Sequence, residues 1–432
     1  MISQTGRRPH AGAAPVDPEA LAQSLRPFGE SRMLPREAYA SHAVLDWERR
    51  HFFDEGWSCA GVSALLSSPG DQRAEALGSA GVLLVRGGDG AVRAFANACR
   101  HRNHELLPCG ADGVNRSFVS CPYHAWSYRL DGSLRRAPGF DDAAGFDTSA
   151  HGLVELACVE WHGIVFVNPS GTAGDFSAHV AGLADHVAPY EIARLATRGH
   201  HGYVVGANWK VLVENYQECY HCPVIHPELC AASPPRSGKN HPDPGGAWAE
   251  GWMELREGFE TMSLDGRSSA SPLRGLDGFR RRIVDYVVIF PNLLVSLHPD
   301  YVMTHVLTPV APDRTRVVCE WHFAPEDAGR EGFDPSFAVD FWDVTNRQDW
   351  RACEAVQRGL SSPLALPGPL SREEDGVYQF VTMVASGYAG RTPRPARVSA
   401  ARRSTGPQTT AAALAGAGSG AAARTTSDAA IG

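Results

Sequence analysis

The rhythm of apolar and polar positions changes along this chain of 432 residues, and the changes divide it. Leu45, Arg49, Phe52 and Phe53 recur at helical spacing and predict a short helix over residues 46–57, ended by Gly56. Short apolar runs then take over. Residues 81–86 (Gly-Val-Leu-Leu-Val-Arg) and 92–97 (Val-Arg-Ala-Phe-Ala-Asn) flank Gly87-Gly-Asp-Gly, the pattern of a hairpin. Phe118-Val-Ser leads into Cys121, residues 130–134 (Leu-Asp-Gly-Ser-Leu) make a tight turn, and residues 162–168 close the region as a strand. Residues 55–168 therefore read as a small all-β domain.

From about residue 200 the pattern lengthens. A helix is predicted from Val211 to about His221. Residues 231–280, dense in Pro, Gly, Ser and Asp, are expected to form a long excursion with little regular structure, such as a lid or entrance loop. The runs 284–290, 293–298, 301–308 and 315–323, with a turn at 311–314, predict an antiparallel sheet. A long helix follows, with Asp334 as N-cap and Pro335 in the first turn, running to about Gln357 and ended by Gly359. The fold class is α+β: a small all-β domain, then a second domain (169–390) whose antiparallel sheet is covered by helices, with residues 36–54 packing on it. Residues 1–35, rich in Ala, Pro and Arg, are expected to be loosely held. Residues 391–432, rich in Ala, Gly, Ser and Thr, are expected to be disordered.

Composition narrows the function. A net charge of -8 without a Lys/Arg block argues against nucleic acid as a partner. No apolar run reaches about 18 residues, so no membrane span is expected, and residues 1–35 hold no continuous apolar stretch of a secretory signal. Ten cysteines in this length are no disulfide framework and fit a reducing, cytoplasmic setting. No Gly-x-Gly-x-x-Gly follows a strand, so no nicotinamide or flavin site is expected on this chain.

The candidate chemistry starts at Cys99-Arg-His101 and Cys121-Pro-Tyr-His124, two short pairs separated by residues 102–120. Two thiolates and two imidazoles suit zinc, or a [2Fe-2S] cluster with Cys on one iron and His on the other. Mixed zinc sites usually pair Cys with Cys and His with His along the chain; here each loop gives one of each. In Cys99-Arg-His-Arg and Cys121-Pro-Tyr-His-Ala-Trp-Ser-Tyr the chain resembles the Rieske non-haem iron oxygenases, which implies a cluster on Cys99, His101, Cys121 and His124. Asn103 departs from the Gly that near members of that family carry, which questions the loop's backbone geometry.

His221 and His226 form a second candidate site. Five residues apart, they would lie about 140° apart around an ideal helix, but Pro223 disturbs the helix between them and can bring them together. Two imidazoles and a carboxylate make the facial triad of Fe(II) oxygenases. Asp349 is the candidate third ligand. It falls on the inward stripe of Ala338, Trp342, Thr345, Cys353 and Val356, where a carboxylate needs a partner or a cation, whereas Asp343 and Glu354 have Arg347 and Arg358 four residues on. The resemblance agrees, since Asn-Arg-Gln-Asp349-Trp falls where these oxygenases carry their iron-binding aspartate. Glu218 lies one helical turn before His221, and Asn215 one turn earlier is a candidate supporting residue near iron. The resemblance implies that Glu218 bridges an iron ligand of one subunit and a Rieske histidine of its neighbour. Glu in place of the more frequent Asp resembles the branch acting on glycine betaine, proline betaine and carnitine.

The resemblance implies a mono- or dioxygenase that takes O2, a small organic substrate and electrons from a separate flavin/iron-sulfur reductase driven by NAD(P)H, and that assembles as a homotrimer. N-demethylation of a quaternary or methylated amine is the leading expectation. Dihydroxylation of an aromatic ring is the alternative, and an electron carrier with structural His221 and His226 is a third reading. A cationic substrate calls for aromatic faces; Trp248, Trp252, Tyr286, Tyr301, Trp321 and Trp342 are available, most of them as core.

Overall fold

The computed structural model describes residues 12–114, 116–140 and 145–398. The expected all-β portion contains β1 (Ser58–Val62), β2 (Gln72–Leu77), β3 (Ala80–Arg86), β4 (Val92–Ala96), β5 (Asp112–Gly113), β6 (Val119–Ser120), β7 (Ser127–Tyr128), β8 (Leu134–Arg136), β9 (Glu155–Trp161) and β10 (Ile164–Asn168). A sheet of order β1-β10-β9-β4-β3-β2-β5 carries a smaller one, β6-β7-β8, and every pairing is antiparallel. His162 and Gly163 lie outside the strand expected there. Both have positive φ and form the β9–β10 turn, where Gly163 meets the Ala193 backbone and has no room for a Cβ.

The second sheet runs β11 (Ala196–Val205), β17 (Arg314–Phe323), β16 (Tyr301–Ala311), β15 (Leu293–Leu297), β14 (Ile283–Ile289), β13 (Trp248–Glu254), β12 (Lys239–Asn240). It is antiparallel throughout and both faces are covered. Val284, Leu294, Tyr301, Met303, Val317 and Trp321 face the helices. Val287, Val295, Leu297 and Val302 face the first sheet in a second core with Cys59, Ile164 and Phe166. The covering helices are Trp209–Tyr216, Ser336–Leu360 and Asp375–Tyr388.

Several expectations are corrected. The helix placed over 46–57 starts at His42, where Ser41 Oγ accepts from Val44 N, and continues as the wider turn Arg49–Asp54. The stretch 231–280 holds β13; Gly251 and two glutamates hid its alternation, and its pairing with β14 satisfies the backbone. The helix Asp375–Tyr388 was not anticipated because it is buried nearly all round and shows no polar face. Residues 12–35, expected to be loose, include the helix Pro18–Ser24, and Ala14 N donates to Tyr388 O at 2.9 Å. Residues 391–398 are also packed: Val398 N donates to Pro242 O at 3.0 Å. The remainder of both ends, 1–11 and 399–432, lies outside the described residues.

The helix Trp209–Tyr216 is fixed from below by a buried ion pair. Lys210 Nζ lies 2.6 Å from Glu48 Oε1, and both side chains are fully buried. Trp209 Nε1 donates to Glu48 Oε2 at 2.9 Å, and the Tyr388 hydroxyl also donates to Glu48. Every charge there has a partner, which a buried pair needs to persist.

Candidate functional site

The two β-domain loops share a local design. Cys99 O accepts from Asn103 N and Cys121 O from Ala125 N, closing a five-residue turn in each, and both closing residues have left-handed backbones (φ 55° and 58°). Asn is among the non-glycine residues that tolerate this region best, so the Asn103 departure leaves the loop shape intact. Cys99 and Cys121 are buried, and the rings of His101 and His124 lie 4.7 Å apart. His101 stacks on Trp126, and its Nδ1 is buried without a hydrogen-bond partner. No three of the four donors converge within 4.8 Å, closer than which the ligands of one tetrahedral ion must come. The set fits a two-iron cluster rather than a single zinc. Tyr128, not singled out from the sequence, accepts from Arg100 N at 3.0 Å and shares a hydrogen bond with Cys99 Sγ at 3.2 Å. Hydrogen bonds to the sulfurs are one means of tuning such a cluster.

In the second domain the helix expected to reach His221 stops at Tyr216. Two short helices follow, Cys222–Ile225 and Pro227–Ala232, with His221 and His226 at their entrances. His226 sits at φ -121°, ψ 72°, between them. Pro227 disfavours helical geometry in the residue before it, so it breaks the chain at His226 and turns the imidazole toward its partner. Asp349 arrives from the long helix with a side chain 16% exposed. Val356, expected on the same inward stripe, is 50% exposed. Asp343 pairs with Arg347 at 2.8 Å as expected, whereas Glu354 accepts instead from Gly206 N.

The three candidate ligands converge. His221 Nε2 lies 3.2 Å from His226 Nε2, and Asp349 Oδ1 lies 2.9 Å from His226 Nε2 and 3.4 Å from His221 Nε2. Each imidazole is oriented from its other nitrogen. His226 Nδ1 donates to Gln348 Oε1 at 2.7 Å, and Gln348 Nε2 donates to Glu228 Oε2 at 2.9 Å. His221 Nδ1 donates to Glu218 Oε1 at 2.5 Å. With both Nδ1 atoms protonated, two Nε2 lone pairs and a carboxylate face one point, a donor set that suits a divalent cation. Burial opposes protonation of His221, but Asp349 and Glu218 lift it to about 9. Burial also opposes ionisation of Asp349, and the two imidazoles outweigh it and hold the carboxyl below its usual range.

Glu218 reaches His221 through the irregular turn after Tyr216 rather than from a shared helical face. Its other oxygen accepts from His221 N at 3.2 Å and from Tyr220 N. Its side chain is 12% exposed. Asn215, half-buried in the preceding helix, makes no hydrogen bond to this cluster. Gln348, not singled out from the sequence, has one signal there: it precedes Asp349 on a helix already facing the histidines. Cys219 and Cys222, flanking His221, are joined in a disulfide, the one such bond among the described residues; eight described cysteines are free. Among the described residues no helix is long and apolar enough to cross a membrane.

Comparison with known proteins matches residues 56–147 to the Rieske [2Fe-2S] domain and residues 192–390 to the ring hydroxylating alpha subunit (catalytic domain). The glycine betaine monooxygenase oxygenase subunit of Chromohalobacter salexigens is 30% identical over 395 residues, covering 84% of this chain and 87% of that protein. The carnitine monooxygenase oxygenase subunit of Escherichia coli is 29% identical over 337 residues, 77% of this chain and 85% of that one. A solved quaternary ammonium Rieske monooxygenase, CntA, shares the fold with a TM-score of 0.73 at 24% identity, covering 87% of this chain and 99% of that one.

Proposed function

The chain belongs to the Rieske non-haem iron oxygenases, and from that premise we propose that it N-demethylates a quaternary or otherwise methylated amine. The convergence of His221, His226 and Asp349 carries the reading: three donors within 4.8 Å, with both imidazoles held at Nδ1 so that Nε2 is left free. The substrates named for the glycine betaine and carnitine relatives, and the glutamate at 218, support the amine class.

Cys99, His101, Cys121 and His124 would hold the [2Fe-2S] cluster, and His221, His226 and Asp349 the mononuclear Fe(II). When bound, the cluster passes single electrons and the open-sided iron admits dioxygen. Gln348, itself oriented by Glu228, keeps the His226 proton on Nδ1. Glu218 does the same for His221, and its second oxygen, held by two backbone N–H groups, fixes the carboxylate plane. That arrangement supports Glu218 as the path by which electrons enter from a neighbouring subunit of a homotrimer. The 55–168 half then delivers electrons and the 169–390 half performs the oxygenation. In the net reaction one atom of O2 enters a C–H bond beside the substrate nitrogen and the other leaves as water, using two electrons from the separate reductase and two protons from solvent. The resulting N-hydroxymethyl group loses a proton, releasing formaldehyde and the demethylated amine. Ten cysteines, eight of them free in the structure, favour a cytoplasmic setting.

The test supplies the reduced holoenzyme with glycine betaine, carnitine, choline and a panel of aromatic acids. Formaldehyde in step with amine consumption is expected. A cis-diol from an aromatic acid, with no formaldehyde from any amine, would replace this reading with ring dihydroxylation.

A further inference from the structure

Beyond the triad, the helix-facing side of the second sheet holds an unusual concentration of unmet polar atoms. In register across the strands lie Gly251, Tyr286, Ser296, Met303 and Trp321. The Tyr286 hydroxyl, both ring nitrogens of His298 and Nδ1 of His305 are buried there with no hydrogen-bond partner. Neighbouring polar groups are satisfied: Tyr216 OH with Ser296 Oγ at 2.9 Å, and Trp342 Nε1 with Tyr301 OH at 2.8 Å. A buried polar group without a partner is costly, and folded proteins retain few of them without a use.

These groups are set among aromatic faces. The Tyr286 ring lies 5.7 Å from Tyr216 and 6.3 Å from Trp342. His298, 0% exposed, stacks on Tyr301 at 4.0 Å and meets the Trp342 edge at 5.5 Å. Trp342 and Asp349 are two turns apart on one helix, about 10 Å along its axis. Tyr286 and Trp342 therefore form an aromatic surface that reaches from His298 along the helix carrying Asp349. The buried cation on this side of the sheet, Lys210, is already engaged by Glu48. Burial holds His298 well below its ordinary pKa, so it is a neutral imidazole with one N–H to give and one lone pair to accept.

We propose that His298, assisted by the Tyr286 hydroxyl, binds the polar arm of the substrate, a carboxylate or hydroxyl that accepts a hydrogen bond, while the methylated nitrogen lies against the aromatic faces nearer Asp349. This rests on the methylated-amine reading and names its specificity determinant. Aromatic faces bind any quaternary ammonium group. What separates one such compound from another is its second functional group, and neutral donors in a buried site reject a ligand that leaves them unpaired.

Calorimetric titration of the holoenzyme with glycine betaine, choline and tetramethylammonium tests this without turnover. His298→Phe keeps a ring against Tyr301 and removes both nitrogens. It is expected to weaken glycine betaine and choline by about tenfold or more and to leave tetramethylammonium, which has no polar arm, unchanged. The larger of the two losses tells which acceptor, carboxylate or hydroxyl, the site is built for. Unchanged affinities, or an equal loss for all three compounds, would overturn the assignment to His298. If the wild type binds none of the three, both this inference and the amine reading fall. Should His298→Phe not fold, Tyr286→Phe makes the same comparison: selective weakening of the two armed compounds supports the proposal, and uniform or absent weakening overturns it.

Discussion

Gln348→Met is the sharpest probe of how the mononuclear site is built. The substitution keeps the length of the side chain and removes the oxygen that accepts from His226 Nδ1 at 2.7 Å. His226 is 1% exposed, so water cannot replace that acceptor. A buried donor left unpaired costs about 1–3 kcal/mol, and each 1.4 kcal/mol is about tenfold in an equilibrium constant. The imidazole can avoid that cost by moving its proton to Nε2, which removes the lone pair a metal needs. By either route Fe(II) affinity is expected to fall about 10- to 100-fold, in the range seen for outer partners of metal-bound histidines. Glu228→Ala should have a smaller effect in the same direction, because Glu228 acts through the Gln348 amide and is only half-buried. The assay is Fe(II) titration of protein stripped of its mononuclear iron, with the Rieske absorption recorded alongside. Equal affinities for wild type and Gln348→Met would refute the tautomer argument.

Other outcomes follow from the same geometry. His221→Ala should reduce oxygenation to background with the Rieske spectrum intact; loss of that spectrum would mean the two centres are not separate. Glu218→Gln should retain both metals yet slow product formation in a single turnover of the reduced enzyme. Lys210→Met leaves Glu48 buried without its countercharge, and should cost about 3–5 kcal/mol of stability in urea unfolding. Asp285 is 5% exposed, and burial, with Glu250 beside it, raises its pKa to about 7. The folded state therefore binds more protons than the unfolded chain between about pH 4 and 7. This group's stabilising contribution is complete below about pH 4 and declines as pH rises to 7, so Asp285→Asn should flatten that slope.

What the sequence disclosed depended on how local the signal was. The cluster loops could be read directly, because a Cys and a His two or three residues apart need no tertiary context. Asp349 could be inferred because a carboxylate on an inward helical stripe demands a partner. The shape of the His221–His226 segment was less visible, since Pro227 does as much as Pro223 to break it and helix-ending effects compete over a few residues. β13 and the helix Asp375–Tyr388 escaped because their identity comes from burial on both sides, which erases the alternation a sequence reader uses. Gln348 and Tyr128 were hidden for another reason: a hydrogen bond from beyond the ligands leaves no spacing rule.

The central claim is that the chain carries two separate iron centres, one fed by the other. It is tested most directly by metal analysis of purified wild type and Asp349→Ala, with the optical spectrum of each. About three irons per chain are predicted for wild type and about two for the variant, with the Rieske absorption the same in both. Zinc in place of iron, or a wild type and variant with equal iron content, would contradict it.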